Sequence, residues 1–292
     1  MTQQKLKIIG ERVNPGFRST KALFDNSDID GIQLLAKKQQ DAGADYININ
    51  IGSRALTDIG FMADVIKGIQ DAVDIPLSFD FPSFDVQKIC LETYDQDKAG
   101  GQKPIINSIS EHREDMMDAL SIRPSKVIIM ASERLEDGAG KANKKAEEVY
   151  GVARRLSERL IDKFNLDRDD IIIDISITTL ASDTEGLIRM ALDGMALIHN
   201  DSDLKGVHMI GGISNVGMML PKKAVDGSPL KNSIERAFTT LACPQGFDMV
   251  LGTPWHDYSP LQEDHFVLNK FKEIIDLKGL DALRALRSLY KL

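Results

Sequence analysis

Leu6-Lys-Ile-Ile-Gly10, Ile32-Gln-Leu-Leu-Ala-Lys-Lys-Gln-Gln-Asp-Ala42 and Asp45-Tyr-Ile-Asn-Ile-Asn-Ile51 follow one another near the start of the chain. The outer two are short apolar runs rich in β-branched residues, which is the mark of buried strands. The middle one carries apolar residues at 32, 35 and 36, the spacing of one buried helix face, and it closes at Gly43, the usual residue just past a helix end. Strand, helix and strand in this order predict a parallel pair with a helical crossover. The same unit recurs: Ile75-Pro-Leu-Ser-Phe79, Pro104-Ile-Ile-Asn107, Lys126-Val-Ile-Ile-Met130, Asp170-Ile-Ile-Ile-Asp174, Gly206-Val-His-Met-Ile210 and Phe247-Asp-Met-Val-Leu251 bring the apolar runs to eight. Eight such units without a long break predict an α/β fold, a (β/α)8 TIM barrel spanning residues 1–292 as a single domain, in preference to an open doubly wound sheet. Gly138-Ala-Gly-Lys-Ala-Asn-Lys-Lys145 is the most linker-like stretch and reads as a long loop after the fifth run.

Composition narrows the function classes. The chain has 292 residues, 42% hydrophobic and 27% charged, ordinary for a packed globular protein. Its 36 Lys and Arg are dispersed among 44 Asp and Glu, for a net charge of −8, and the absence of a basic block argues against a large nucleic-acid footprint. The opening Met1-Thr-Gln-Gln-Lys-Leu-Lys7 lacks the apolar run of a signal peptide, and no stretch approaches ~18 apolar residues, so a cytoplasmic protein is expected. Cys90 and Cys243 lie far apart in predicted helices, with no CxxC pair and no neighbouring histidine. Buried small hydrophobes are expected there, with neither a disulfide nor a metal.

A TIM barrel does its chemistry at the C-terminal ends of its strands, and in this chain those ends are polar. The first run leads into Glu11-Arg-Val-Asn14, the second carries Asn48 and Asn50, the third leads to Asp80, the fourth ends at Asn107-Ser108, the sixth ends at Asp174, and the seventh runs into Gly211-Gly-Ile-Ser-Asn215. Each of these polar groups alone could be structural, bonded to loop amides; several around one mouth suit a planar heterocycle with mixed donors and acceptors on its edge. His208 lies within the seventh run and reads as a packed residue. Without a histidine or cysteine at a strand end, metal-dependent hydrolysis and nucleophilic catalysis both lose support.

In this order, one per strand, Ile9-Gly-Glu-Arg-Val-Asn14, Asn48-Ile-Asn-Ile-Gly52, Asp80, Ile106-Asn-Ser108, Ile173-Asp174 and Ile213-Ser-Asn-Val216 form a specific signature. The chain resembles, over nearly its whole length, the methyltetrahydrofolate:corrinoid methyltransferases and the related pterin-binding domain of cobalamin-dependent methionine synthase. The resemblance implies a methyltransferase of one-carbon metabolism that moves a methyl group between tetrahydrofolate or methyltetrahydrofolate and the cobalt of a separate corrinoid protein. It further implies that Asp174 binds the pterin's amidine edge, that Asn107 and Asp80 contact neighbouring ring nitrogens, and that Asn215 sits beside the methyl-bearing nitrogen as the catalytic residue. Glu11 and Asn50 complete the expected substrate-binding set. The chain has no Asp-x-His-x-x-Gly signature, so the corrinoid is expected on a partner protein; relatives are commonly homodimers. The chain departs from the family pattern at Asn48-Ile-Asn50, where Asp-Leu-Asn is common, and at Ile175, where proline is common. Met218–Gly227 does not align cleanly.

Two other functions share these residues. A dihydropteroate synthase uses the same pterin pocket but needs cations for pyrophosphate, and here the seventh and eighth runs lead into Ser214-Asn-Val-Gly217 and Gly252-Thr-Pro-Trp255, with neither lysine nor arginine. A non-catalytic folate-binding module would also keep Asp80, Asn107 and Asp174. Gly138-Ala-Gly-Lys141 falls short of a phosphate loop, because Leu135 replaces its first glycine and Ala142 its Ser or Thr. His256, in the loop after the last run, is left without a role.

Overall fold

The computed structural model describes residues 5–290; the beginning of the opening stretch, Met1–Gln4, lies outside them. Among the described residues, ten strands form two sheets. β1 (Lys7–Val13), β2 (Tyr46–Ile49), β3 (Leu77–Asp80), β4 (Ile105–Ile109), β5 (Lys126–Met130), β8 (Ile171–Asp174), β9 (His208–Ile210) and β10 (Met249–Gly252) make one all-parallel sheet in the order β10-β1-β2-β3-β4-β5-β8-β9. Its two ends meet. The Asp248 N–H donates to Met209 O at 3.3 Å and the Leu251 N–H to Gly211 O at 3.1 Å, closing the barrel along a seam thinner than any other junction. The expected eight-stranded barrel is therefore present.

Helices α1 (Lys21–Asp25), α2 (Ile29–Asp41), α3 (Ile59–Ala72), α4 (Phe84–Thr93), α5 (Ala146–Phe164), α6 (Leu187–His199), α7 (Leu230–Ala242), α8 (Phe266–Ile275) and α9 (Gly279–Arg287) surround the sheet. α2 starts three residues before the sequence reading placed it, because the Asp28 carboxylate accepts the Gly31 N–H at 2.9 Å and caps the first turn. Gly43 follows its end at φ 95°, as expected. The larger core lies between sheet and helices. Phe79 and Phe238 are fully buried there, each contributing roughly 2–3 kcal/mol by burial.

The barrel's own interior holds Ile9, Tyr46, Ile105, Ile128, Ile172, Ile210 and Met249, one from each of seven strands. Side chains along a strand alternate between faces, so the residue two places further on also points inward, nearer the C-terminal mouth. The two-residue step takes Ile9 to Glu11, Tyr46 to Asn48, Ile105 to Asn107 and Ile172 to Asp174. Each of these four strands thus carries an apolar residue in the plug and a polar residue at the mouth.

Two sequence expectations need correction, for Gly138–Lys145 and Cys243, and His208 is packed as expected but does more. Gly138–Lys145 is not a plain loop: β6 (Glu133–Glu136) and β7 (Ala139–Ala142) form an antiparallel hairpin. Its turn is Asp137-Gly138, both at positive φ (54° and 76°), the dipeptide that favours a two-residue hairpin turn. His208 is buried but ionically engaged. It opens β9 at the N-terminal end of the barrel, with Nδ1 2.6 Å from Asp248 Oδ2 and Nε2 3.0 Å from Asp169 Oδ1. Two acceptors on one ring require both nitrogens protonated, and the hydrogen bond to Asp248 leads in raising the His208 pKa above 6.5. Cys90 is buried as expected, whereas Cys243, at the end of α7, is partly exposed.

Candidate active site

The mouth carries two groups of polar side chains. The first spans β2, β3, β4 and β8. Asn48 Nδ2 and Asn50 Nδ2 donate to the same oxygen of Asp80, at 3.0 and 3.2 Å, while Asn50 Oδ1 accepts the Gly52 N–H at 2.8 Å. Asn48 Oδ1 in turn accepts from Ser78 Oγ at 3.0 Å and Asn107 Nδ2 at 3.3 Å. Strand register brings them together: Asp80 pairs with Asn107 across β3 and β4, and Asn48 with Ser78 across β2 and β3. The amides are oriented by their neighbours and leave Asp80's second oxygen without a partner among the described residues.

Asp174 ends β8 on the same side of the mouth, with Oδ1 accepting the Ser176 N–H at 2.7 Å. Burial pushes its pKa up to about 6, with the Asp80 charge adding to the rise, and burial raises Asp80 as well. Two carboxyls thus share one pocket, and neither is ion-paired to a lysine or arginine among the described residues. Such a site binds a ligand edge that donates hydrogen bonds, because each donor accepted relieves part of the cost of burying the charge.

The second group joins β1, β9 and β10. Glu11 is buried and accepts from Thr253 Oγ1 at 2.8 Å and Ser214 Oγ at 3.0 Å. Burial raises its pKa. With one hydroxyl on each oxygen, Glu11 ties together the loops that leave the seam strands. Behind it, His256 Nδ1 lies 3.0 Å from Glu235 Oε2, a buried carboxylate on α7, and the His256 pKa is raised by that bond first.

Of the residues singled out from sequence, Asp80, Asn107, Asn50 and Asp174 gather in the first group and Glu11 stands in the second. Asn215 belongs to neither: it is exposed at the end of the turn Ile213–Asn215, immediately after Ser214. The segment that did not align, Met218–Gly227, is also on the rim, with Met218 and Met219 exposed and Lys223 bridged to Pro229. Ser78, Ser214 and Thr253 were not expected. Ser78 could have been found by stepping two places back from Asp80, but Ser214 and Thr253 meet Glu11 only through the closed barrel.

Residues 11–251 match the family described as pterin binding enzyme. The chain belongs to that family. Among curated relatives, this pterin-binding chain is 24% identical over 255 residues to the methylcorrinoid:tetrahydrofolate methyltransferase of Eubacterium limosum, covering 85% of this chain and 84% of the relative. Among solved structures, the dihydropteroate synthase of Xanthomonas albilineans with 4-aminobenzoic acid superposes with a TM-score of 0.59 at 16% identity, over 94% of this chain and 93% of that one. The dihydropteroate synthase of Clostridium difficile with pteroic acid gives 0.58 at 19% identity, over 99% and 98%. At those identities the synthases share the barrel fold with this pterin-binding enzyme.

Proposed function

We propose that this pterin-binding enzyme transfers a methyl group from a methylated corrinoid protein to the five-position nitrogen of tetrahydrofolate. The observation that carries the reading is the pair of half-buried carboxyls, Asp174 and Asp80, facing one mouth without a cation and framed by Asn48, Asn50 and Asn107. The amidine edge of a pterin offers two adjacent N–H donors, which an ionised Asp174 accepts as a bidentate pair. Asp80, held by its two asparagines, and Asn107 take the neighbouring ring nitrogens. The name of the Eubacterium limosum relative, a methylcorrinoid:tetrahydrofolate methyltransferase, supports the methyl donor class.

The attacking nitrogen forms a bond to the methyl carbon while the cobalt–carbon bond breaks and leaves its electron pair on cobalt. The nitrogen then sheds its proton. On the exposed turn, Asn215 can accept from that N–H or turn its amide to donate, and water carries the proton away. The corrinoid belongs to the partner, for which the rim after β9, with Asn215, Met218 and Met219 exposed, is open. The reading also places the enzyme in the cytoplasm as a homodimer, in line with the family resemblance, and no helix among the described residues is long and apolar enough to cross a membrane.

A dihydropteroate synthase reading is favoured by the fold alone; the mouth residues Ser214, Asn215, Thr253 and Pro254 supply no cation for a pyrophosphate. The test is single-turnover transfer from methylated corrinoid proteins to tetrahydrofolate, followed through the cobalt spectrum. Formation of methyltetrahydrofolate in step with Co(I) supports the reading. Tight folate binding with no transfer from any methylated corrinoid protein would leave a folate-binding module.

A further inference from the structure

Strand alternation that turns Glu11 into the mouth turns Arg12 outward, under the rim. The Arg12 guanidinium lies 3.9 Å from the Phe17 ring centroid and 5.9 Å from that of Trp255, and its Nη2 donates to Ser19 Oγ at 2.6 Å. Lys38, an exposed residue of α2, places Nζ 4.5 Å from the same Trp255 ring. Two cations therefore flank one indole, and among the described residues neither has a carboxylate within 4.0 Å. This occurs in a chain whose 44 acidic residues outnumber its 36 basic ones. Arg54, Arg134 and Arg154, by contrast, each hold a carboxylate.

The wall beneath is also short of acceptors. Gln39 is fully buried and its Oε1 accepts the Arg12 backbone N–H at 2.8 Å, but its Nε2 and the neighbouring Arg12 Nε are buried donors with no partner among the described residues. Burial lowers the Arg12 pKa, opposed only by the charge of Glu11 across the strand. A cationic, donor-rich patch with an aromatic face, 42% exposed at Trp255, suits a ligand that has a flat ring and carboxylates. Its place in the chain fits as well. Trp255 lies two residues after Thr253, and Phe17 and Ser19 lie in the loop after β1, so the patch borders the mouth that Glu11 and Thr253 line.

We propose that Arg12, Lys38 and Trp255 form a rim subsite for the aminobenzoyl-glutamyl tail of the folate, with the indole against the tail's ring and the two cations on its glutamyl carboxylates. This rests on the pterin reading of the pocket. The carboxyls of Asp80 and Asp174 repel the tail's negative end, so the pterin end enters the barrel and the carboxylate end is left at the rim, where these unpaired cations lie. Each additional γ-linked glutamate adds a carboxylate within reach of Lys38.

The experiment compares calorimetric binding of tetrahydropterin without a tail, tetrahydrofolate and its triglutamate, in the wild type, Lys38→Gln and Arg12→Gln. Trp255 is the chain's single tryptophan, so its fluorescence reports tail docking directly. The wild type should bind the triglutamate about 5- to 20-fold more tightly than the tailless pterin, with an advantage that shrinks in salt. Lys38→Gln should remove about 2-fold of the triglutamate affinity and Arg12→Gln about 3- to 5-fold, both leaving the tailless pterin unchanged. Lys38 is exposed, so its variant keeps the test decisive if Arg12→Gln misfolds. Equal affinity for all three ligands in the wild type would overturn the subsite. So would variants that raise the KM for the corrinoid protein while leaving every folate affinity intact, which would give the cations to acidic groups on the partner. A wild type that binds no pterin, tailed or not, refutes the pocket reading itself and is told apart by the tailless ligand.

Discussion

Replacing Asp174 by asparagine should move binding and stability in opposite directions. In the unliganded protein the carboxyl has one hydrogen-bond donor, the Ser176 N–H, and it feels the charge of Asp80. A displacement from 3.8 to about 6 means that the fold disfavours the ionised form by ~3 kcal/mol. Because the folded pKa is raised, this penalty is full above pH 6 and fades as the pH falls towards 3.8. Asparagine carries no such penalty, so unliganded Asp174→Asn should be about 1–3 kcal/mol more stable than the wild type at pH 8, with the gap closing near pH 4. Ligand binding should suffer. An amide presents a donor where the pterin edge also donates, and loss of the charged pair should weaken tetrahydrofolate binding by about 2–4 kcal/mol, roughly 30- to 1000-fold. Below pH 6 the wild type should lose affinity about tenfold per pH unit as Asp174 protonates, while the variant stays flat. Calorimetry at several pH values and urea unfolding at pH 8 and pH 4 measure both arms. Near wild-type affinity in a folded variant, or a variant less stable than wild type at pH 8, would refute the reasoning.

Asn215→Ala should slow single-turnover methyl transfer by about 10- to 1000-fold and change the folate dissociation constant much less, because its proposed hydrogen bond is made mainly in the transition state; weakened binding with an undiminished rate would make it a recognition residue. Glu11→Ala leaves the hydroxyls of Ser214 and Thr253 without their acceptor and should cost about 2–4 kcal/mol in denaturant unfolding, with Glu11→Gln recovering part; a loss below 0.5 kcal/mol would show that the tie is not structural. For His208 the folded pKa is raised above 6.5, so its contribution is full below that value and is lost as the pH rises through the folded one. His208→Gln should therefore flatten the stability profile on the alkaline side of 6.5, and thermal melts that fall in parallel for both proteins would contradict this.

The strands and the first polar group were legible because both depend on short-range periodicity. A residue two places after a buried isoleucine shares its face, so Asn107 and Asp174 could be placed in the mouth before their neighbours were known. Asn48 was visible in the same way, although its part in orienting Asp80 depends on the register between β2 and β3. Contacts made only by closure were not legible. Ser214 and Thr253 are 203 and 242 residues from Glu11, and nothing in the local pattern of either predicts a shared carboxylate. The β6–β7 hairpin was missed for another reason: its small and charged residues lack apolar alternation, and the Asp137-Gly138 turn was the only local sign of it. Asn215 shows the remaining gap, since a motif can place a residue on a loop without fixing how far that loop lies from the pocket.

Thermal inactivation should precede melting. Where β9 meets β10 the wall is held by two backbone hydrogen bonds, helped by Asp248, which accepts the Met209 N–H at 3.0 Å, and by the carboxylate of Glu11 at the mouth. The other junctions carry continuous strand pairing, with a register shift in only two of them, β1–β2 and β4–β5. A barrel heated towards unfolding parts first along its weakest line. That line carries Ser214 on one side and Thr253 on the other, so the turn bearing Asn215 loses its place while the pocket formed by β2, β3, β4 and β8 still stands. Pterin binding should then outlast the proposed methyl transfer on heating, and the temperature gap between the two measures how far the last strand pair can separate before the rest of the barrel follows.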